Sequence, residues 1–323
     1  EFEPGSDVFA KITIIGEGPR GHIARQLMQR YDLLDNNPIT YETGCKEVIQ
    51  LPKGSVKDGF VYLTAGYPLS GSLGPLNGTF GGAFIYSMSG DRVCIGLLAV
   101  LDAKNPDQDV HYLLQKLKLH PKIRKILKAD EGSRVIKYGA KAVTVGGWGC
   151  MPKLYAPGAL LVGDSASFLN AARIKGIHLA MKSGMLAGET AFEALQSQSY
   201  SEETMAEYKA KVDESWIHSE MTVSQNFHTD ISTGGLASGS IKYGLAKVIG
   251  PGKIRPAHED HEGMQTLQQY YGKNLSNRPQ MTDPGRYADL NYDGEYIVDK
   301  LSDVYLSGTI HDAHQPCHLV VTP

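Results

Sequence analysis

The sequence predicts an α+β fold, with an antiparallel sheet placed between two strand–turn–helix units. Three stretches carry that expectation. Residues 11 to 27, KITIIGEGPRGHIARQL, read as strand, glycine turn and helix. Residues 46 to 101 break into short extended pieces separated by glycine and proline. Residues 158 to 196 open on a buried strand and close on a long helix.

In the first unit, Ile12, Ile14 and Ile15 supply the strand, and Ile23, Ala24, Leu27 and Met28 recur at helical spacing. Gly16, Gly18 and Gly21 spell G-x-G-x-x-G, the turn that seats a pyrophosphate when an acid for the ribose follows about 20 residues later. The acid on offer is Glu42, inside ITYETGCKEVIQL, which reads as an extended segment of its own. Two readings stay open: a dinucleotide turn, or a glycine turn capping a strand–helix junction.

The middle pieces are EVIQLP, GFVYLTAGYPL, GGAFIYSM and RVCIGLLAVL, and the last two flank SGD, a hairpin turn. QDVHYLLQKLKLHPKIRKILK, residues 108 to 128, is helical with a break at Pro121. The later strand ends at Gly163-Asp164, and a helix begins near Gly176. Its predicted core face takes Ile177, Ala180, Met181, Gly184, Gly188, Ala191, Phe192 and Leu195, with Gly184 and Gly188 expected to pack closely on another element. Ser199-Tyr200-Ser201-Glu202 offers a capping box for the helix EETMAEYKAKVDESWIHSEM. Residues 222 to 300 are glycine-rich and read as irregular.

Composition narrows the function. The 323 residues allow one large domain or two. With 21% charged residues and a net charge of −3, nothing resembles a nucleic-acid footprint. Cys45, Cys94, Cys150 and Cys317 stand far apart, without the paired spacing of a zinc or iron–sulfur site, and read as reduced thiols. The longest apolar run, VCIGLLAVL, is far shorter than the ~20 residues that span a bilayer, which leaves room for a chain that lies on one. EFEPGSDVFA is acidic and abrupt, and reads as the middle of a fold rather than a leader.

The strand-Gly-Asp, loop and helix of residues 158 to 184 have a chemical logic. An aspartate at a strand end can bond the hydroxyls of a ribityl chain, and a helix N-terminus presents free N–H groups to a developing anion such as the pyrimidine edge of a reduced flavin. Asp164 is thus a candidate for the ribityl chain, with Lys175, Gly176 and Ile177 facing the flavin carbonyl; the plain alternative is an aspartate capping a turn.

The run IKYGAKAVTVGGWGCMPKLYAPGALLVGDSASFLNAARIKGIHLAMKSGMLAGETAFEAL resembles the electron-transfer flavoprotein:ubiquinone oxidoreductase family, as do GEGPRGHIARQL, GTFGGAFIY and LSGTIHDAHQPCHL. The resemblance covers nearly the whole chain and is weakest over 222 to 300. It implies an FAD-binding flavoprotein of the glutathione-reductase-like or hydroxylase-like type, incomplete here, with an antiparallel quinone or substrate sheet. In such a fold GEGPRGHIARQL is the later unit that closes the FAD site, and the true pyrophosphate turn belongs to a segment outside this sequence. The cysteines of a [4Fe-4S] cluster are likewise expected elsewhere. The implied layout is 1–45 in the FAD domain, 46–140 the quinone-binding sheet and helices, 141–200 a return to the FAD domain, and 201–323 a C-terminal helix, an irregular region and a family motif.

By the same resemblance, Gly16, Gly18, Gly163, Asp164, Lys175, Gly176 and Ile177 contact FAD, Asp164 being an acid that eukaryotic members often lack. Ile174 and His178 complete the motif that leads into the helix. Phe80, Gly81 and Gly82 match an aromatic-Gly-Gly motif that contacts quinone, because a missing Cβ lets a flat ring approach the main chain; the plain alternative is a β-bulge. YLTAGYPLSGSLGPLNG suits a surface that dips into a membrane interface. The implied activity passes electrons from reduced electron-transfer flavoprotein through FAD to ubiquinone, with no acid–base catalyst required. The chain would act as a fragment or split subunit, with a second chain supplying the missing FAD and iron–sulfur segments, on the matrix side of the mitochondrial inner membrane or the cytoplasmic face of a bacterial one. The competing expectations are a non-catalytic respiratory subunit and a related flavin-dependent reductase or hydroxylase.

Two lookalikes remain. DLNYDGEYIVDK aligns Asp289, Asn291, Asp293 and Gly294 with a calcium loop, but Lys300 stands where a bidentate glutamate belongs. HDAHQPCH gathers His311, His314, Cys317 and His318 as if for zinc, yet His311, Gln315, Pro316 and His318 match a family motif without a metal, so packing or cofactor-edge contact is expected.

Overall fold

The computed structural model describes residues 5–34, 37–69, 79–273, 275, 278 and 289–310. It opens with β1 (Thr13–Ile15) and α1 (His22–Arg30), then β2 (Tyr41–Gln50), β3 (Val61–Ala65), β4 (Gly81–Met88) and β5 (Arg92–Val100). Helices α2 (Val110–Lys118) and α3 (Pro121–Ile126) follow, broken where the sequence places Pro121. Next come β6 (Arg134–Thr144), β7 (Tyr155–Ala156) and β8 (Ala159–Leu161). Among the described residues the α-helices after β8 are α4 (Ile177–Ser197), α5 (Glu202–Glu214), α6 (Trp216–Val223), α7 (Phe227–Ile249), α8 (Asp260–Gly263), α9 (Leu267–Tyr271) and α10 (Lys300–Ser307).

Five strands form an antiparallel sheet in the order β3-β4-β5-β2-β6. The SGD turn joins β4 to β5, with Gly90 and Asp91 both at positive φ. Because strand side chains alternate, one face carries Cys45, Glu47, Ile49, Ala83, Ile85, Ile95 and Leu97, the centre of a core closed with Leu114, Leu117 and Ile123 of α2 and α3. Buried in that core, Lys118 Nζ lies 2.6 Å from Glu47 Oε2, and Gln115 bonds both.

A second, smaller sheet pairs β1 with β8 in parallel, Ile15 opposite Leu161, and β7 with β8 antiparallel. Its core runs through Ala24, Met28, Leu160, Phe168, Leu186, Met205, Tyr208 and Met221. The Tyr208 hydroxyl donates to the Leu161 carbonyl at 3.1 Å, tying α5 to the end of β8.

Five expectations need correction. Helix α4 turns a different face inward: its buried stripe is Leu179, Ser183, Leu186, Ala187, Thr190 and Ala194, while Ile177, Met181, Phe192 and Leu195 are exposed. A Cβ on Gly184 or Gly188 would meet no atom within 4 Å, so neither glycine marks a contact among the described residues. The capping box is not formed. Ser201 caps α5 through the Thr204 N–H, and the Ser199 hydroxyl bonds that of Thr204 at 2.6 Å; the single predicted helix divides at Ser215, which ends α5 and caps α6. Finally, 222 to 300 is not wholly irregular, since α7 runs for 23 residues through it with a break at Gly235 (φ 76°, ψ 169°).

Candidate functional site

The first glycine turn, the end of β8 and the start of α4 converge on an open cleft of about 480 Å³. Gly16, Glu17, Gly18, Lys141, Val162, Gly163, Asp164, Leu169, Gly176, Ile177 and Ala180 line it. Six of the seven cofactor positions expected from sequence therefore meet here. The seventh, Lys175, folds back on its own loop, with Nζ donating to the Ile174 carbonyl at 3.1 Å.

The turn at Gly16–Gly21 resolves the ambiguity of its spelling. Glu17 Oε2 accepts the Ala24 N–H at 2.8 Å, so a carboxylate already occupies the positive end of α1 where a pyrophosphate would sit. Gly18 instead is locked to the opposite wall: its N–H donates to Ser165 Oγ at 2.9 Å, and that hydroxyl donates back to the Gly18 carbonyl at 3.1 Å. The turn forms one wall of the cleft.

Across the cleft, Gly163 at φ 56° makes the sharp exit from β8, and its N–H donates to buried Ser183 Oγ at 3.0 Å. Asp164 follows; burial raises its pKa and Lys141 opposes the rise. The loop to α4 is held closed by paired bonds between the Asn170 and Lys175 backbones and puts Ile174 at φ 57°, a strained position for a β-branched residue. Glu220 of α6 anchors it from outside, accepting from Asn170 at 3.2 Å and lying 2.9 Å from His178 Nε2. Gly176 then begins α4 with no side-chain cap, which leaves the first N–H groups of a 21-residue helix directed at the cleft.

A flavin fits this donor set. The uncapped helix start suits an electron-rich carbonyl edge, Asp164 suits hydroxyls, and the glycines leave the walls low. Lys141, Ser165, Ser183 and Glu220 were not singled out from sequence. Their signal lies in position within the fold, because Lys141 belongs to β6, a strand of the other sheet, and only the folded chain brings it to the cleft beside the end of β8.

The sheet leads away from this cleft. Lys141 pairs with Gly44, Gly44 with Leu98, and Leu98 with Gly82, one row of residues on one face of the sheet. Three strand spacings place Gly82 roughly 14 Å from Lys141. Strand β4 keeps unbroken register with β3 and β5 here, so Gly81 and Gly82 do not form a bulge. Added Cβ atoms would strike the Leu98 carbonyl at Gly81 and the Thr64 carbonyl at Gly82, so close strand packing alone requires both glycines. The Phe80 ring packs edge-on against Phe227 at 6.0 Å and beside His228 at 6.4 Å.

A family profile described as "ETF-QO, ubiquinone-binding" matches residues 41–143, the span from the start of β2 to the end of β6. A probable electron transfer flavoprotein-ubiquinone oxidoreductase of Acinetobacter baylyi is 33% identical over 99% of this chain and 56% of its own length. The chain belongs to the electron transfer flavoprotein-ubiquinone oxidoreductase family. The human mitochondrial member is 35% identical over 99% of this chain and 50% of its own, and the Pseudomonas aeruginosa member 34% identical over 98% and 54%. The chain thus spans about half the length of the curated relatives it matches. A crystal structure of a geranylgeranyl bacteriochlorophyll reductase-like protein from Thermoplasma acidophilum shares the fold, with TM-score 0.55 and 16% identity over 83% of this chain and 61% of that one.

Of the lookalike motifs, Asp293 accepts the N–H groups of Glu295, Tyr296 and Ile297, Asp289 accepts from Tyr112, and Lys300 Nζ bonds Asp109, so the protein's own donors use these groups. His311, His314, Gln315, Pro316, Cys317 and His318 lie outside the described residues, as do residues 70–78 of the surface stretch. Cys45, Cys94 and Cys150 are free, buried thiols, and burial pushes Cys150 up to about 12.

Proposed function

We propose that this chain is the flavin- and quinone-handling part of an electron transfer flavoprotein-ubiquinone oxidoreductase, carrying electrons from reduced electron-transfer flavoprotein to ubiquinone. The observation that supports it most is the convergence of three distant segments on one cleft, at one end of a sheet row whose other end is the aromatic-Gly-Gly motif. The fold is read as the later part of a glutathione-reductase-like or hydroxylase-like FAD fold. Residues 1–45 and 141–200 hold the flavin in this reading, and 46–140 hold the quinone.

FAD, when bound, supplies electrons singly or in pairs. Asp164 holds its ribityl hydroxyls, the start of α4 stabilises negative charge on its pyrimidine edge, and Gly16, Gly18 and Gly163 let it approach the main chain. Phe80 and the neighbouring backbone position the quinone ring. The uncovered apolar face of α4 offers a seat for a further segment or chain carrying the pyrophosphate turn. No helix among the described residues is long and apolar enough to cross a membrane. We place the protein on the surface of a mitochondrial or bacterial inner membrane, where its quinone resides.

Replacing Asp164 by alanine should weaken FAD binding by about 1.5–3 kcal/mol, the worth of a charge-assisted hydrogen bond. Unchanged FAD content in the purified variant would remove Asp164 from the site. Gly176→Val gives a sharper contrast. A Cβ there meets the Phe168 carbonyl at 3.4 Å and Asp164 at 3.5 Å, ordinary contacts that the fold accommodates. The larger side chain should therefore expel flavin while thermal unfolding stays near that of the parent, and a matching loss of folded protein would mark the glycine as a packing residue. Gly82→Leu, by contrast, cannot isolate quinone contact, because its clash with Thr64 disturbs the β3–β4 pairing first.

A further inference from the structure

We propose that the partly buried cluster of Glu42, Asp102, His228, Ser232 and His258 delivers protons to a quinone held beside Phe80, an inference that rests on the quinone site proposed above. His228, at the start of α7, is 3% exposed and packs beside the Phe80 ring. Its Nε2 lies 3.5 Å from Asp102 Oδ2 and 3.4 Å from Ser232 Oγ, while its Nδ1 is buried with no partner. An unmatched polar atom inside a protein is costly, and this one is matched if a ligand oxygen reaches it.

Behind His228 the cluster opens to solvent. Ser232 Oγ donates to Asp102 Oδ2 at 2.6 Å, and the same oxygen lies 3.5 Å from Nε2 of His258, a side chain 34% exposed. Glu42 adds a second carrier. It is 8% exposed and lies opposite Val100, whose N–H donates to the Phe80 carbonyl at 3.1 Å, and the charges of His228 and Asp102 both act on it.

The surrounding charges are set for exchange near neutral pH. Burial pushes Glu42 up to about 7, with His228 pulling it down and Asp102 pushing it up. Burial also raises Asp260 to about 6, against a bond from the Tyr41 N–H. Asp102 is raised by burial, but His228, Ser232 and His258 together bring it below the ordinary carboxylate value. Glu259 also bears on Asp260, and Asp230 of α7 is engaged by Lys242 and Arg255.

Quinone becomes quinol by gaining two electrons and two protons. The electrons come from the reduced flavin of the reading above. For one proton, a bond from hydrogen to the His228 ring nitrogen breaks as an O–H bond forms on one quinone oxygen, and solvent restores the imidazole proton through Asp102, Ser232 and His258. The Glu42 carboxyl gives the second by the same exchange and is refilled through the same cluster.

The test uses flavin-loaded protein in its complete assembly, a short-chain ubiquinone as probe, and His228→Gln, Glu42→Gln and His258→Gln variants checked by circular dichroism. Equilibrium binding of the ubiquinone should stay within about threefold of the parent, while its reduction by His228→Gln falls about tenfold or more, as loss of a proton donor does. His258→Gln should also slow, and added imidazole should restore it, a rescue that a purely structural role would not allow. If His228→Gln does not fold, the other two variants decide. Normal rates and an unchanged pH profile in variants that bind ubiquinone would overturn the proton path and leave the quinone site standing. Slow variants that imidazole does not restore would overturn the solvent path through His258. A parent protein that binds no ubiquinone would overturn the site and the proposal together.

Discussion

Glu47→Ala is expected to lower the unfolding free energy by about 3–5 kcal/mol, because it strands a buried ammonium. Lys118 and Glu47 are both wholly buried, 2.6 Å apart, between the sheet and α2. Burial raises the Glu47 pKa and Lys118 lowers it, so the carboxylate depends on its partner. The second bond of each group is supplied by Gln115, whose Oε1 also takes the Val298 N–H at 3.1 Å and so links α2 to the segment before α10. Urea unfolding followed by circular dichroism measures the loss. The double variant Glu47→Leu with Lys118→Met removes both charges and should recover most of it. A single variant as stable as the parent would show that solvent reaches the pair.

The second large effect is a pH dependence. Glu42 has a folded pKa of about 7 against an ordinary 4.5, so the folded chain holds its proton more tightly than the unfolded chain. A raised acid of this kind contributes stability that is complete below pH 4.5 and lost as pH rises through 7, and the loss is about 3 kcal/mol. Asp260, raised to about 6, acts in the same direction at lower pH. Asp102, held below its ordinary 3.8, acts oppositely and only in more acid solution. Glu42→Gln should therefore flatten the stability curve between about pH 4.5 and 7, leaving the slope that belongs to Asp260. Parallel curves for parent and variant would show that Glu42 is ionised in the fold at neutral pH.

Parts of the fold were legible because local chemistry specifies them. The SGD turn, the alternation in GGAFIYSM and the proline in the α2–α3 region each dictate structure within a few residues. The face of α4 was misread for a physical reason: its buried stripe includes Ser183 and Thr190, which bond Gly163 and their own helix, while its most apolar residues point outward. Helix α7 was missed because Gly234, Gly235, Gly239 and Gly244 dilute its pattern and one of them breaks it. One wall of the cleft, Asp164 with Gly176 and Ile177, was legible from strand-end and helix-start chemistry, whereas the part played by Gly16 and Gly18 came only through the resemblance. Nothing in the spacing of Gly18, Lys141 and Ser165 announces that these residues come together, and Glu17 carries no signal until its carboxylate is seen to accept from the first turn of α1.

The measurement that bears most directly on the central claim is the visible absorption spectrum of the protein isolated from its source, in the parent form and with Asp164→Ala. The account predicts a flavin spectrum in the parent, released on denaturation as FAD, and a depleted one in the variant. A parent preparation that is folded yet colourless, and remains so after incubation with FAD, would contradict it.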